Sequence, residues 1–296
     1  MVVFAACISM CSCTLLAQSP LLMNQTDMPM LPDGQPLIAS PEGKIPYQTW
    51  RIPTWGDDLK HIWIVASHDL RHCDNVEFIL YFHGMHSKDY YDCFRTPLKG
   101  LAKSRPDRPF VFIGFVDTPY VSPTARGKNR WTPLAPPDSA IPERLFKTVN
   151  HLFKSFRATF PQIKKDKTKI VLAGFSGGGR VLDSVASWLT HTPEDDAFAG
   201  VFRSRLSKIV YFDCWFDPAV IDTVPALLAN NPQMKIVGTV HMDKPKKHAA
   251  MLADKLRLSI DKDKHQLIGI GGRLRILPGK SHWEAMINKL AQALDT

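Results

Sequence analysis

Apolar residues in this chain gather into short dense runs, separated by stretches in which they recur at helical spacing. Residues 47–52 and 62–67 alternate apolar and polar side chains, the pattern of half-buried antiparallel strands. Residues 76–82, 110–115, 169–175, 208–212, 235–240 and 274–277 are almost continuously apolar. Runs this dense predict parallel strands covered on both faces. Between them the period lengthens. Leu145, Phe146, Val149, Leu152, Phe153 and Phe156 line one stripe of residues 143–160, and helices are also predicted over 178–189, 218–229, 246–256 and 282–294. Strands alternating with helices predict βαβ crossovers and an α/β fold with a mostly parallel sheet. The proline-rich stretch 117–141 fits neither period and follows a predicted strand, so it reads as a long loop, with Tyr120 and Trp131 as candidate walls of a binding cleft. No other insertion is large enough for a lid domain.

Chemistry in such a sheet collects beyond the carboxyl ends of its strands. There the chain carries Gly174-Phe175-Ser176-Gly177-Gly178, with an apolar run before it and a predicted helix after it. That context is a strand–turn–helix nucleophile elbow, in which a tight bend lifts a serine above the sheet and the flanking residues must be small. A serine hydroxyl needs a base. His282 follows the last predicted strand and is the candidate. A carboxylate must then fix the imidazole tautomer. Asp243 follows the strand 235–240 and is the first choice; Asp213, at the end of 208–212, is a serious rival, and Asp217 is third. An oxyanion hole needs two backbone N–H groups. Gly177 directly follows the serine, and Met85 lies in the turn His83-Gly84-Met85-His86 after the third predicted strand, so these two are the candidate donors. His83 and His86 have metal-ligand spacing but no carboxylate partner, and the chemistry needs neither a metal nor an organic cofactor.

Taken together, the elbow at Ser176, the His83-Gly84 strand end and the late His282 resemble the α/β-hydrolase superfamily, over residues 47–296. The segment 160–181 also resembles secreted esterases of the polyhydroxyalkanoate-depolymerase and feruloyl-esterase kind. The resemblance implies an eight-stranded sheet with helices on both faces and a Ser–acid–His triad, and does not identify a substrate; with the minimal lid inferred from the chain, the reading is acyl transfer from a carboxylic ester, on a small molecule or a polymer. A peptidase or amidase on the same fold, and a non-catalytic binding protein that keeps it, are the alternatives.

Composition and charge narrow the setting. Of 296 residues, 45% are hydrophobic and 22% charged, enough apolar material for a packed core. Against 28 acidic residues stand 37 lysines and arginines, a net charge of +9, but the excess is spread out. That favours a solvated basic surface with weak attraction to anionic surfaces, and it argues against a nucleic-acid partner. Residues 1–17 are apolar and free of charge and resemble a signal peptide, which predicts a secreted, periplasmic or envelope location. Residues 18–46 read as a tether to the catalytic domain 47–296. In an exported protein Cys73 and Cys93 are a candidate disulfide, with unpaired thiols the equal alternative. Nothing in the sequence speaks to oligomeric state.

Overall fold

The two-residue period of each central strand sends alternate side chains into two separate cores. The computed structural model describes residues 38–39, 48–53, 59–67, 70–84, 98, 101, 105, 108–117, 143–193, 197–262, 266–282 and 289–295. Its strands are β1 (Ile38–Ala39), β2 (Gln48–Pro53), β3 (Leu59–Ala66), β4 (Glu77–Phe82), β5 (Phe110–Asp117), β6 (Lys169–Phe175), β7 (Leu206–Phe212), β8 (Lys235–Val240), β9 (Ser259–Asp261), β10 (Gln266–Gly269) and β11 (Leu274–Pro278). They form one sheet in the order β1-β2-β3-β5-β4-β6-β7-β8-β11-β10-β9. The six neighbours from β5 to β11 pair in parallel, and the strands outside them are antiparallel.

All eight predicted strands are present. The sheet exceeds the expected eight because β1, β9 and β10 extend its edges. These have two to four residues each, too few to leave a readable alternation. One of them, β1, falls inside the segment read as a tether. The rest of that segment, the leader-like residues 1–17, and Cys93 of the candidate disulfide lie outside the described residues.

Helices are α1 (Glu143–Thr159), α2 (Gly179–His191), α3 (Ala197–Arg205), α4 (Val220–Asn230), α5 (Asp243–Leu256) and α6 (Leu290–Asp295). Helix α3 was not expected: its apolar residues are mostly small and interrupted by Gly200, which blurs the stripe. The last helix, expected over 282–294, is described only from Leu290.

Phe78, Leu80 and Phe82 of β4 face one core, together with Phe156 of α1, Val181 of α2, Leu227 of α4 and Leu252 of α5. Ile79 and Tyr81 face the other, with Leu98, Leu101 and Leu290 of α6. Full burial of such side chains contributes roughly 1.5–3 kcal/mol each, so this two-sided packing holds the sheet rigid beneath its carboxyl-end loops. Helix α6 is anchored by a charge as well. The buried ammonium of Lys208 donates to the carbonyls of Ala293 (2.9 Å) and Leu294 (2.5 Å), acceptors that the end of a helix leaves unfilled. Burial pulls the Lys208 ammonium down to about 8.

Candidate active site

Strand β6 lies at the middle of the sheet, and its last residue delivers the chain into a sharp bend. Ser176 has φ of +50°, the left-handed region that a residue with a Cβ occupies only under strain. The chain then makes one 3-10 turn, Ser176–Gly178, before α2 begins. The elbow predicted from the glycines is therefore present, with the serine as its strained residue.

Close packing explains why the bend is rich in glycine. A Cβ added at Gly178 would lie 2.1 Å from the carbonyl oxygen of Phe82, at the end of β4. One at Gly84 would come to 3.0 Å from the Cβ of Ser176. The end of β4, with His83 and Gly84 after it, is thus packed directly against the elbow. Gly177 follows the serine and is half-buried. Met85, His86, Tyr120 and Trp131 lie outside the described residues.

His282 stands four residues beyond β11. Its Nδ1–H donates to Oδ2 of Asp213 at 2.6 Å, and its ring packs against that of Phe175, centroids 4.5 Å apart. The imidazole therefore sits beside the residue that precedes Ser176. Asp213 is fully buried, and it too is held left-handed, with φ of +49°. Its backbone N–H bonds the carbonyl of Thr239 on β8 (2.7 Å), while its Oδ1 accepts the N–H groups of His241 (2.7 Å) and Met242 (3.0 Å). Burial works against the charged carboxylate. The hydrogen bond from His282, followed by those from His241 and Met242, outweighs it and keeps the carboxyl below the usual carboxylate range.

The carboxylate bonded to His282 is thus Asp213, the rival, and not Asp243, the first choice. Asp243 opens α5 with its side chain exposed, where a carboxylate favours the helix N-terminus but does not accept the His282 proton. Asp217, the third choice, is exposed and accepts the N–H of Ala219 at 2.9 Å. What decides between the carboxylates is the left-handed turn at Asp213, which aims its side chain under the loops after β8 and β11. Nothing in the sequence announces that turn beyond the tolerance of aspartate for such a φ.

Two further groups carry no sequence motif that would place them here. The thiol of Cys214 donates to the carbonyl of Gly174 at 3.3 Å, bracing the elbow from below. Burial, with Asp183 and Asp213 nearby, pushes that thiol up and keeps it protonated. Asp183, on α2, is hydrogen-bonded to the phenol of Tyr211; burial and the charge of Asp217 push its carboxyl up to about 8. The folded chain thus holds a proton there that the unfolded chain, with an ordinary aspartate near pH 4, has lost. Stability from this group is full below about pH 4 and falls as pH rises toward 8. Asp183→Asn removes that dependence, so its melting temperature should gain on the wild type between pH 5 and pH 8. Calorimetry across that range checks it, and parallel melting curves would refute it.

No protein-family model matches the chain, and no curated protein matches it. Solved structures do superpose on it. An uncharacterised protein from Capnocytophaga ochracea gives a TM-score of 0.48 at 14% identity, covering 80% of this chain and 59% of its own. An IroE-like serine hydrolase from Shewanella oneidensis gives 0.49 at 14% identity, covering 84% and 78%. An S-formylglutathione hydrolase from Agrobacterium tumefaciens gives 0.49 at 13% identity, covering 84% and 94%. Such likeness concerns architecture alone, and the assignment rests on this chain's own topology. With β2-β3-β5-β4-β6-β7-β8-β11 as its main sheet and a left-handed serine turn closing the central strand, the chain has the α/β-hydrolase fold.

Proposed function

We propose that the chain is a serine hydrolase that cleaves a carboxylic ester by acyl transfer, with Ser176 as nucleophile, His282 as base and Asp213 as the acid that orients it. One observation carries this reading. Near a serine strained into the left-handed bend of an elbow, His282 donates its Nδ1–H to a buried carboxylate at 2.6 Å. That bond fixes the tautomer and leaves Nε2 as the nitrogen with a free lone pair.

The chemistry follows from these positions. Nε2 takes the proton of Ser176 as Oγ attacks the ester carbonyl, and Asp213 stabilises the imidazolium so formed. Negative charge on the former carbonyl oxygen is received by the N–H of Gly177 and by the turn after β4, to which the proposal assigns the N–H of Met85. The imidazolium returns its proton to the departing alcohol, and water repeats the sequence to free the acid. Similarity of residues 160–181 to polymer-acting and feruloyl esterases directs substrate screening to aryl esters and ester-linked polymers. An exported location and a loose attraction to anionic surfaces complete the proposal.

The test is covalent labelling with a fluorophosphonate, alongside turnover of p-nitrophenyl acetate and butyrate. One probe per chain, mapped to Ser176 by mass spectrometry, with turnover of the esters, is the expected result. A folded protein that neither reacts nor turns over ester is a binding protein built on a hydrolase scaffold.

A further inference from the structure

We infer that His241 is a positioning residue that locks the acid and the base of the triad to one another. The inference rests on the acyl-transfer reading above and names a part that the triad alone omits. His241 is the first residue after β8, between the two loops that carry Asp213 and His282. Its backbone N–H donates to Asp213 Oδ1 at 2.7 Å. Its imidazole Nδ1 lies 3.2 Å from the carbonyl oxygen of Gly279. A carbonyl only accepts, so Nδ1 of His241 carries the proton and donates.

Gly279 is the first residue beyond β11 and stands three positions before His282. Its own N–H donates to the carbonyl of Val240 at 2.9 Å. Both polar groups of Gly279 are therefore held by consecutive residues, Val240 through its backbone and His241 through its side chain. This extends the parallel β8–β11 ladder, whose last pair is Pro278 with Val240, by one further rung. In register, the next N–H to reach the Gly279 carbonyl would be that of Met242, but it serves Asp213 instead, and the His241 ring takes its place. Only Lys280 and Ser281 separate the clamped peptide from the base. Freeing Gly279 would let His282 swing relative to Asp213, and displacements of about 1 Å in catalytic groups cost roughly 100-fold in rate.

His241→Ala keeps the backbone N–H to Asp213 and removes only the clamp. It is expected to lower kcat on p-nitrophenyl butyrate by about 10- to 100-fold with KM little changed. His241→Asn places an amide nitrogen where Nδ1 stood and should restore kcat to within a few-fold of wild type. His241→Gln places its nitrogen one atom farther out and should not. The second readout is the proton NMR signal of the His282 Nδ1–H in its bond to Asp213. It should broaden or vanish in the alanine and glutamine variants and persist in the asparagine variant.

This signal does not depend on turnover, so it separates the two proposals. Wild-type protein without esterase activity but with a clamp-dependent signal would end the functional proposal and keep the positional one. A signal unchanged in all three variants, or a kcat that stays within twofold in His241→Ala, would overturn the positional role. Should the alanine variant fail to fold, as judged by circular dichroism, the asparagine–glutamine pair decides the same question.

Discussion

Replacing Ser176 with alanine is expected to abolish ester turnover, with a fall in kcat on the order of a million-fold. In the proposed triad the three groups act as a unit: without the hydroxyl, His282 would have no proton to take and only the oxyanion donors would remain, which sustain roughly 10³- to 10⁴-fold over water. The same substitution should leave the fold nearly untouched. Alanine keeps a Cβ, so the left-handed φ of +50° is no easier or harder to hold. Initial rates on p-nitrophenyl butyrate, paired with melting curves, test both halves. Activity within tenfold of wild type would remove Ser176 from the chemistry, whereas a collapse in melting temperature would mean that the hydroxyl is structural.

The second large effect separates the two carboxylates. Asp213→Asn is expected to cost about 10⁴-fold in kcat, and Asp243→Asn less than twofold. An asparagine amide facing Nδ1 donates where the carboxylate accepted. This drives the imidazole proton onto Nε2 and disables it as a base. Stability should suffer too, because the N–H groups of His241 and Met242 lose an ionised acceptor. The sign with pH is fixed by the lowered carboxyl of Asp213. Its stabilising contribution is present above about pH 4, the ordinary aspartate value, and is lost as pH falls through its lower value in the fold. The wild type should therefore exceed Asp213→Asn in stability at neutral pH, with the gap closing only in strong acid. Equal loss of kcat in the two variants, or a larger loss in Asp243→Asn, would return the role to Asp243.

Much of this architecture was legible in the residues because its core is two-sided. Strands such as β4 and β6 are apolar on both faces, and that density marks them without ambiguity. The elbow was equally plain, since a bend that brings Gly178 against the Phe82 carbonyl tolerates nothing larger. Elements β1, β9 and β10 escaped notice because they are held at the sheet edges by partners and not by a burial pattern of their own. The proposed acid was less legible for a different reason. Asp213 and Asp243 both follow apolar strands and both suit a loop, so spacing alone ranks them about equally. The backbone angle at residue 213 separates them, and so does the convergence of three donors on its carboxylate. No motif sets His241 apart in the sequence, because its contacts are divided between its backbone and its ring.

The contact between Gly178 and Phe82 has a consequence for anyone reshaping this protein. The elbow and the turn opposite it are fitted together with no gap to spare, so neither can be retuned without disturbing its neighbour. An invariant glycine at position 178 among relatives would record lack of room and say nothing about reactivity. Any redesign of this protein has to leave the seam alone.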